Sequence, residues 1–236
     1  MYKTIFNYSK KKILEINSLH RYEFVKNECL KIKKNSIILD AGCGGQIYKK
    51  YCDHLKYKSQ DLAEYKNDEM KTIDSEKKDR NYKFPSLDYT GNVWEIEEKE
   101  NTFDAILCSE VFEHIPYPEK TIIEFQRLLK KGGKLILTTP AQSIRHFDPY
   151  YYYSGFSDRW FEFFLKKYNF EIISIIKSSG YYGYLATELA RFINSEKKII
   201  PKIIAFPIFF YLLHKKETLL SVNTTCNGYF IVAKKL

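Results

Sequence analysis

The stretch SIILDAGCGGQIYKKY, residues 36–51, narrows the possible folds more than any other part of the chain. A short apolar run ends on Asp40, and a glycine turn follows at once. A run of that length bounded by glycines reads as a buried strand, and the glycines let the backbone turn tightly or approach a ligand. The segment after the turn, 46–55, is expected to be a helix whose first N–H groups face that ligand. Strand, glycine turn and helix together open a parallel α/β sheet.

The rest of the chain repeats the alternation. KYKSQD, ending at Asp61, reads as a second strand, and PSLDYT as a third after a polar stretch, 64–83, expected to be loop. FDAILCSE (103–110) is the fourth strand, and PEKTIIEFQRLLKK the helix after it, opening near Pro118 and stopped by Gly132 and Gly133. GKLILTTP is the fifth strand, DRWFEFFLKKYN a helix, FEIISIIKS the sixth strand and GYFIVAKKL the seventh. Residues 10–33 carry a ragged apolar face at helical spacing. The expected fold is therefore α/β: a Rossmann-like, doubly wound, seven-stranded sheet, with a helical insertion between strands 6 and 7. Its parts are an N-terminal helical segment (1–34), a core (35–180), the insertion (181–227) and a final core strand (228–236).

The chain has 236 residues and a net charge of +9. Its lysines are scattered or sit in short groups such as 10–12, which reads as a solvated basic surface, and no nucleic-acid partner is expected. The five cysteines form no C-x-x-C pair, so neither a disulfide framework nor a zinc motif is visible. With an N-terminus that lacks the apolar core of a signal peptide, this points to a cytoplasmic protein. No metal is expected.

The glycine turn excludes two common ligand sites. A dinucleotide fingerprint would place glycine where Ile47 stands, and no G-K-[ST] follows for a phosphate loop. Asp40 at the strand end would repel a pyrophosphate and suit a cationic ligand. Asp61, about 20 residues on, falls where an acid accepts both hydroxyls of a ribose. A nucleoside with a cationic tail fits these features.

ILDAGCGG, Asp61 and NTFDAILCSEVFEHIPYPEKTIIEFQRLLKKGGKLILTTP resemble class I S-adenosylmethionine-dependent methyltransferases over residues 35–180. The resemblance implies an S-adenosyl-L-methionine cofactor, leaving as S-adenosyl-L-homocysteine. It implies that Asp40, Gly42, Cys43 and Gly44 cradle the methionine part and that Asp61 and Leu62 meet the ribose. The adenine contact falls to Asn92 and Val93, or to Asp88. Ser109 and Glu110 would lie along the cofactor.

Methyl transfer to a hydroxyl benefits from a general base, most often histidine. His114 follows strand 4 and His146 follows strand 5, both beyond the carboxyl ends of strands. Around His146, Arg145 would suit a phosphate, and Asp148, Tyr151, Tyr153 and Trp160 would line a sugar site. DPYY at 148–151 is not the signature of amino-methylating nucleic-acid enzymes, because it follows strand 5 and carries Tyr150 in place of proline.

The stretch from LTTPAQSIRHFDPYYYYSGFSDRW onward resembles small methyltransferases of bacterial surface-polysaccharide biosynthesis. That implies O-methylation of a sugar, a nucleotide-linked sugar or another anionic precursor. A nitrogen or lipid-quinone acceptor is the first alternative, and a cofactor-binding subunit without turnover the second. The insertion is expected to be a lid or a homodimer contact. The lysines flanking its apolar run, 199–213, leave a membrane surface as a third reading, and Pro201 and Pro207 argue against one continuous helix.

Overall fold

A computed structural model describes residues 16–64 and 85–236. The start of the N-terminal segment and most of the polar stretch 64–83 lie outside them. The elements in chain order are α1 (Ile16–Leu30), β1 (Ile37–Ala41), β2 (Lys56–Asp61), β3 (Tyr89–Thr90), β4 (Phe103–Ser109), α2 (Pro118–Leu128) and β5 (Leu129–Pro140). They continue with α3 (Asp158–Lys167), β6 (Phe170–Lys177), α4 (Tyr181–Ser195), α5 (Ile199–His214), α6 (Leu219–Thr224) and β7 (Gly228–Lys235).

The strands form one sheet in the order β3-β2-β1-β4-β5-β7-β6. Every pair among β1 to β5 is parallel, and β7 runs antiparallel between β5 and β6. This is the expected doubly wound sheet with an antiparallel last strand. Its strand order reverses between β1 and β4, which opens a crevice at their carboxyl ends.

Alternate residues feed the two faces, as the period of a strand requires. Leu39, Ile106 and Leu137 enter a core under α2 and α3. Ile38, Leu107 and Ile136 enter a smaller core under α1, with Val25 and Cys29. Each of these strand residues is fully buried, which explains why β1 and β4 read as near-continuous apolar runs.

Three local expectations change. The helix over 46–55 is replaced by a single 3-10 turn, Lys49–Tyr51. Gln46 takes a left-handed φ of 53°, which breaks a right-handed helix at its start. Tyr48 and Cys52 still bury against α1, so a short turn does the covering. The helix after β4 ends at Leu128, and the backbone enters β5 before the glycine pair. In the insertion, α5 runs unbroken from Ile199 to His214 through both prolines. Pro201 stands in the first turn, where a missing N–H costs nothing. Pro207 is held inside the helix by packing of Ala205 and Phe209 against Ala186, Ala190 and Ile193 of α4.

Candidate active site

Beyond β1 the backbone passes through Gly42 (φ 70°) and Gly44 (φ 48°). Gly42 is dictated twice, because a Cβ there would stand 2.4 Å from a methyl of Val111. The turn's amides face the end of β2. Gly42 and Cys43 donate to the Gln60 carbonyl, each at 2.9 Å, and Gly44 donates to Asp61 Oδ2 at 2.8 Å. The expected free N–H groups are thus replaced by a brace between the two strand ends. Asp61 Oδ1 also accepts from Ala63 N at 3.0 Å. These backbone bonds, with one from Leu62, do not exhaust a carboxylate's roughly four lone-pair positions.

Asp40 is buried beneath the turn and accepts from Tyr57 Oη at 2.6 Å. Burial pushes its carboxyl up to about 7 against the pull of Tyr57, and the Asp61 charge adds to the rise. Burial raises Asp61 as well. Asp88 is turned toward β2, where Lys58 Nζ, Ser59 N and Ser59 Oγ donate to it.

The crevice holds a cavity of about 370 Å³. Gly42, Leu62, Asn92 and Val93, all expected at a cofactor, are on its wall. So are Gln60, Trp94, Ile115 and His114. Sequence reading missed Gln60, whose amide accepts from Gly42 N at 3.1 Å and donates to the Gly91 carbonyl at 2.6 Å. Asp40, Cys43, Gly44, Asp61, Asp88, Ser109 and Glu110 stand behind or beside this wall. Ser109 bonds Thr138 and Tyr48, and Glu110 takes a left-handed φ of 56° to reach Arg21, 2.9 Å away. Arg21 is the single arginine of α1. Among the described residues its buried Nε has no hydrogen-bond partner.

The loop after β5 folds back over the turn after β4. Tyr152 and Tyr153 donate their N–H groups to the Glu113 carbonyl at 2.9 and 3.2 Å. His114 Nδ1 lies 2.7 Å from the Tyr150 carbonyl and His146 Nδ1 lies 2.8 Å from that of Ile144. A carbonyl only accepts, so each Nδ1 carries the proton and each Nε2 is left with a lone pair. The two rings meet edge to face with centroids 4.7 Å apart. Burial, with His146 adding to it, lowers His114 to about 4, so the ring is neutral at ordinary pH. Buried Glu113 stands 3.7 Å from His114 Nε2, and burial followed by the Glu110 charge holds it well above the usual carboxylate range. Ligand atoms of Glu113, His114 and His146 lie within 4.8 Å of one another, a donor set that also suits a divalent transition ion. The sequence gives no motif for it, because two loops far apart in the chain supply the groups.

The loop also fixes which tyrosines reach the cavity. Tyr150 and Tyr152 are on its wall. Tyr151 bonds the Ser143 carbonyl at 2.6 Å and stacks beside His146, and Tyr153 packs on Phe156. Arg145 and Asp148 are exposed and pair with each other at 2.8 Å. Trp160 packs among Phe112, Phe156 and Phe164 in the aromatic core under α3.

A family model described as "Methyltransferase domain" matches residues 18–181. The chain belongs to that family. The methyltransferase domain is of the class I, S-adenosylmethionine-dependent kind, and S-adenosylmethionine is its cofactor. A ubiquinone biosynthesis O-methyltransferase of Nitrosococcus oceani is 32% identical over 133 residues, 55% of this chain and 52% of that protein. The mitochondrial enzyme of the same name from Candida albicans is 30% identical over 134 residues, 55% of this chain and 38% of that one. The chain thus spans about half or less of these curated relatives. Geranyl diphosphate C-methyltransferase from Streptomyces coelicolor A3(2) shares the fold at a TM-score of 0.57 and 12% identity, with 92% of this chain and 75% of that chain covered.

Proposed function

We propose that this methyltransferase methylates a hydroxyl oxygen of a sugar, a nucleotide-linked sugar or a related phosphorylated precursor of a bacterial surface glycan. The observation that carries an oxygen acceptor is His114, a neutral imidazole on the cavity wall with Nδ1 tied to a carbonyl and the Nε2 lone pair beside Glu113. Relatives named O-methyltransferases agree with an oxygen acceptor. Tyr150 and Tyr152 offer the aromatic faces on which a sugar ring stacks. The wall holds no lysine or arginine among the described residues.

The residues present fit the cofactor. Leu62, Val93 and Trp94 form an apolar slot for a purine, and the cavity falls in the size range of small-ligand sites. Asp61, braced by Gly44 and Ala63 at the end of β2, has lone pairs for the ribose diol. When bound, S-adenosylmethionine supplies an electrophilic methyl carbon on a positively charged sulfur. The chain does the rest. Tyr150 and Tyr152 would orient the acceptor, and His114 Nε2 would take the hydroxyl proton. His146, edge-on to His114, holds that ring in place.

A lipid-quinone acceptor is the second reading, favoured by the relatives named for ubiquinone biosynthesis. Labelled S-adenosylmethionine given to a small-molecule extract separates the two. A product whose mass shifts on phosphatase or pyrophosphatase treatment supports the glycan precursor, and label confined to the organic phase supports the lipid-quinone acceptor. His114→Ala is expected to lower kcat by about 10²–10⁴ with cofactor affinity retained. Because His114 stays neutral down to about pH 4, the rate should hold on the acid side until well below the usual histidine range. A fall centred near 6.5 would remove His114 as the base.

A further inference from the structure

The helix α5 is apolar on every side but is covered on only one. Ala205 and Phe209 face α4 and are buried. On the opposite side Ile200, Ile203, Ile204, Ile208 and Tyr211 stand at i, i+3, i+4, i+8 and i+11, which is a single helical face. They are 49–68% exposed. Leu219 and Leu220, at the start of α6, are more exposed still. A helix apolar all round is ordinarily buried, and a bare apolar face of this extent marks an interaction surface.

Charge selects the occupant. Lys197 and Lys198 precede the helix, Lys202 lies in its first turn, and Lys215 and Lys216 follow it. The acids nearby are occupied elsewhere. Glu196 accepts from Lys198 N, and Glu217 turns inward to the N–H groups of Gly180 and Gly183 at 3.1 and 2.8 Å. Among the described residues the face therefore has two basic ends with no acid along the helix between them. A second copy laid on it in either direction would set a basic end on a basic end. An anionic lipid surface meets both ends with phosphates and the middle with acyl chains. The helix has 16 residues, about 24 Å at 1.5 Å per residue, so it lies along a bilayer and does not cross it. Among the described residues no helix is long and apolar enough to cross a membrane.

We propose that α5 docks the protein on an anionic membrane surface, with Ile200, Ile203, Ile204 and Ile208 set in the boundary between headgroups and acyl chains. The flanking lysines add electrostatic attraction and Tyr211 sits at headgroup level. The insertion that carries α5 starts on the cavity side of the sheet. β6 runs in the same direction as β1 and β4, so α4 leaves the sheet at the end that holds the cavity. An acceptor carried on a lipid would meet the site there. The docking itself does not depend on which acceptor is methylated.

The test is flotation of the full chain with vesicles, without cofactor or acceptor. Vesicles of phosphatidylcholine mixed with phosphatidylglycerol should carry the protein, and pure phosphatidylcholine or high salt should lower the bound fraction about tenfold. Ile200→Asn with Ile204→Asn should lower it at least as much, and Lys197→Gln with Lys198→Gln should weaken binding only to the anionic vesicles. All four side chains are exposed, so an unchanged thermal transition certifies the fold of each variant. Failure of the parent chain to float with anionic vesicles overturns the proposal. So does a dimer by analytical ultracentrifugation that the isoleucine variant dissociates, since the face would then belong to a second copy.

Discussion

At the scale of single residues, the carboxyls around the glycine turn do different work. Asp40 is a structural acid, buried and tied to Tyr57, whose folded value of about 7 stands well above the 3.8 of an ordinary aspartate. A group raised on folding stabilises the fold below its unfolded value, and that contribution is lost as pH climbs through the folded one. The loss runs from about pH 4 to about pH 7 and is on the order of 4 kcal/mol. Asp40→Asn, which mimics the protonated form, should remove that slope and raise the transition temperature at pH 8. An unchanged pH profile would show that Asp40 is ionised in the fold. Asp61 instead braces Gly44 and Ala63, and its proposed contact with the ribose rests on the lone pairs left over. Asp61→Ala should raise the cofactor dissociation constant at least tenfold by calorimetry. Binding at parental strength would place the ribose elsewhere.

Among the elements, the helical insertion is pinned by one side chain. Glu217 accepts from the amides that open α4 and from Ser221 Oγ, and a Cβ at Gly180 would strike its carboxylate. A helix start leaves its first N–H groups without intrahelical partners, so an acid placed there satisfies them and meets the positive end of the helix. Glu217→Ala should cost roughly 1–3 kcal/mol and speed hydrogen exchange at Gly180 and Gly183. Exchange at the parental rate would mean that packing against α5 alone fixes α4. The element-scale surprise is the 3-10 turn after β1. Lys49, Lys50 and Tyr51 carry no helix-breaking residue, and it is the left-handed Gln46 and the burial of Tyr48 and Cys52 on α1 that shorten the segment.

For the whole molecule, the sheet and its crevice make stability depend on ligand. A cofactor that binds the folded chain alone stabilises it by about 2.7 kcal/mol at a hundred times its dissociation constant. For a chain of this size that is a rise of roughly 5–10 °C in the transition temperature. Titration of S-adenosylmethionine against thermal unfolding measures it directly, and no shift at saturating concentration would separate the crevice from the cofactor. The five cysteines are all free and buried, so the transition should not respond to reductant.

What the sequence determined by itself was the sheet and the place of its crevice. Buried parallel strands must be apolar on both faces, and a glycine turn after the first of them has few other uses, so SIILDAGCGG and FDAILCSE were legible as β1 and β4. Gly42, Leu62, Asn92 and Val93 stand on the cavity wall because strand ends and the turns after them inherit their position from the sheet. The tertiary structure alone decided the loops. Four consecutive tyrosines carry no period that tells Tyr150 and Tyr152 from Tyr151 and Tyr153. Their directions are set by hydrogen bonds to Glu113, 39 and 40 residues back from the two that donate to it. The same fold-back joins His146 to His114, and only folding leaves Ile200 to Tyr211 bare while the other side of α5 is covered. Local sequence encodes periodicity, whereas contacts between distant loops depend on where the whole sheet carries them.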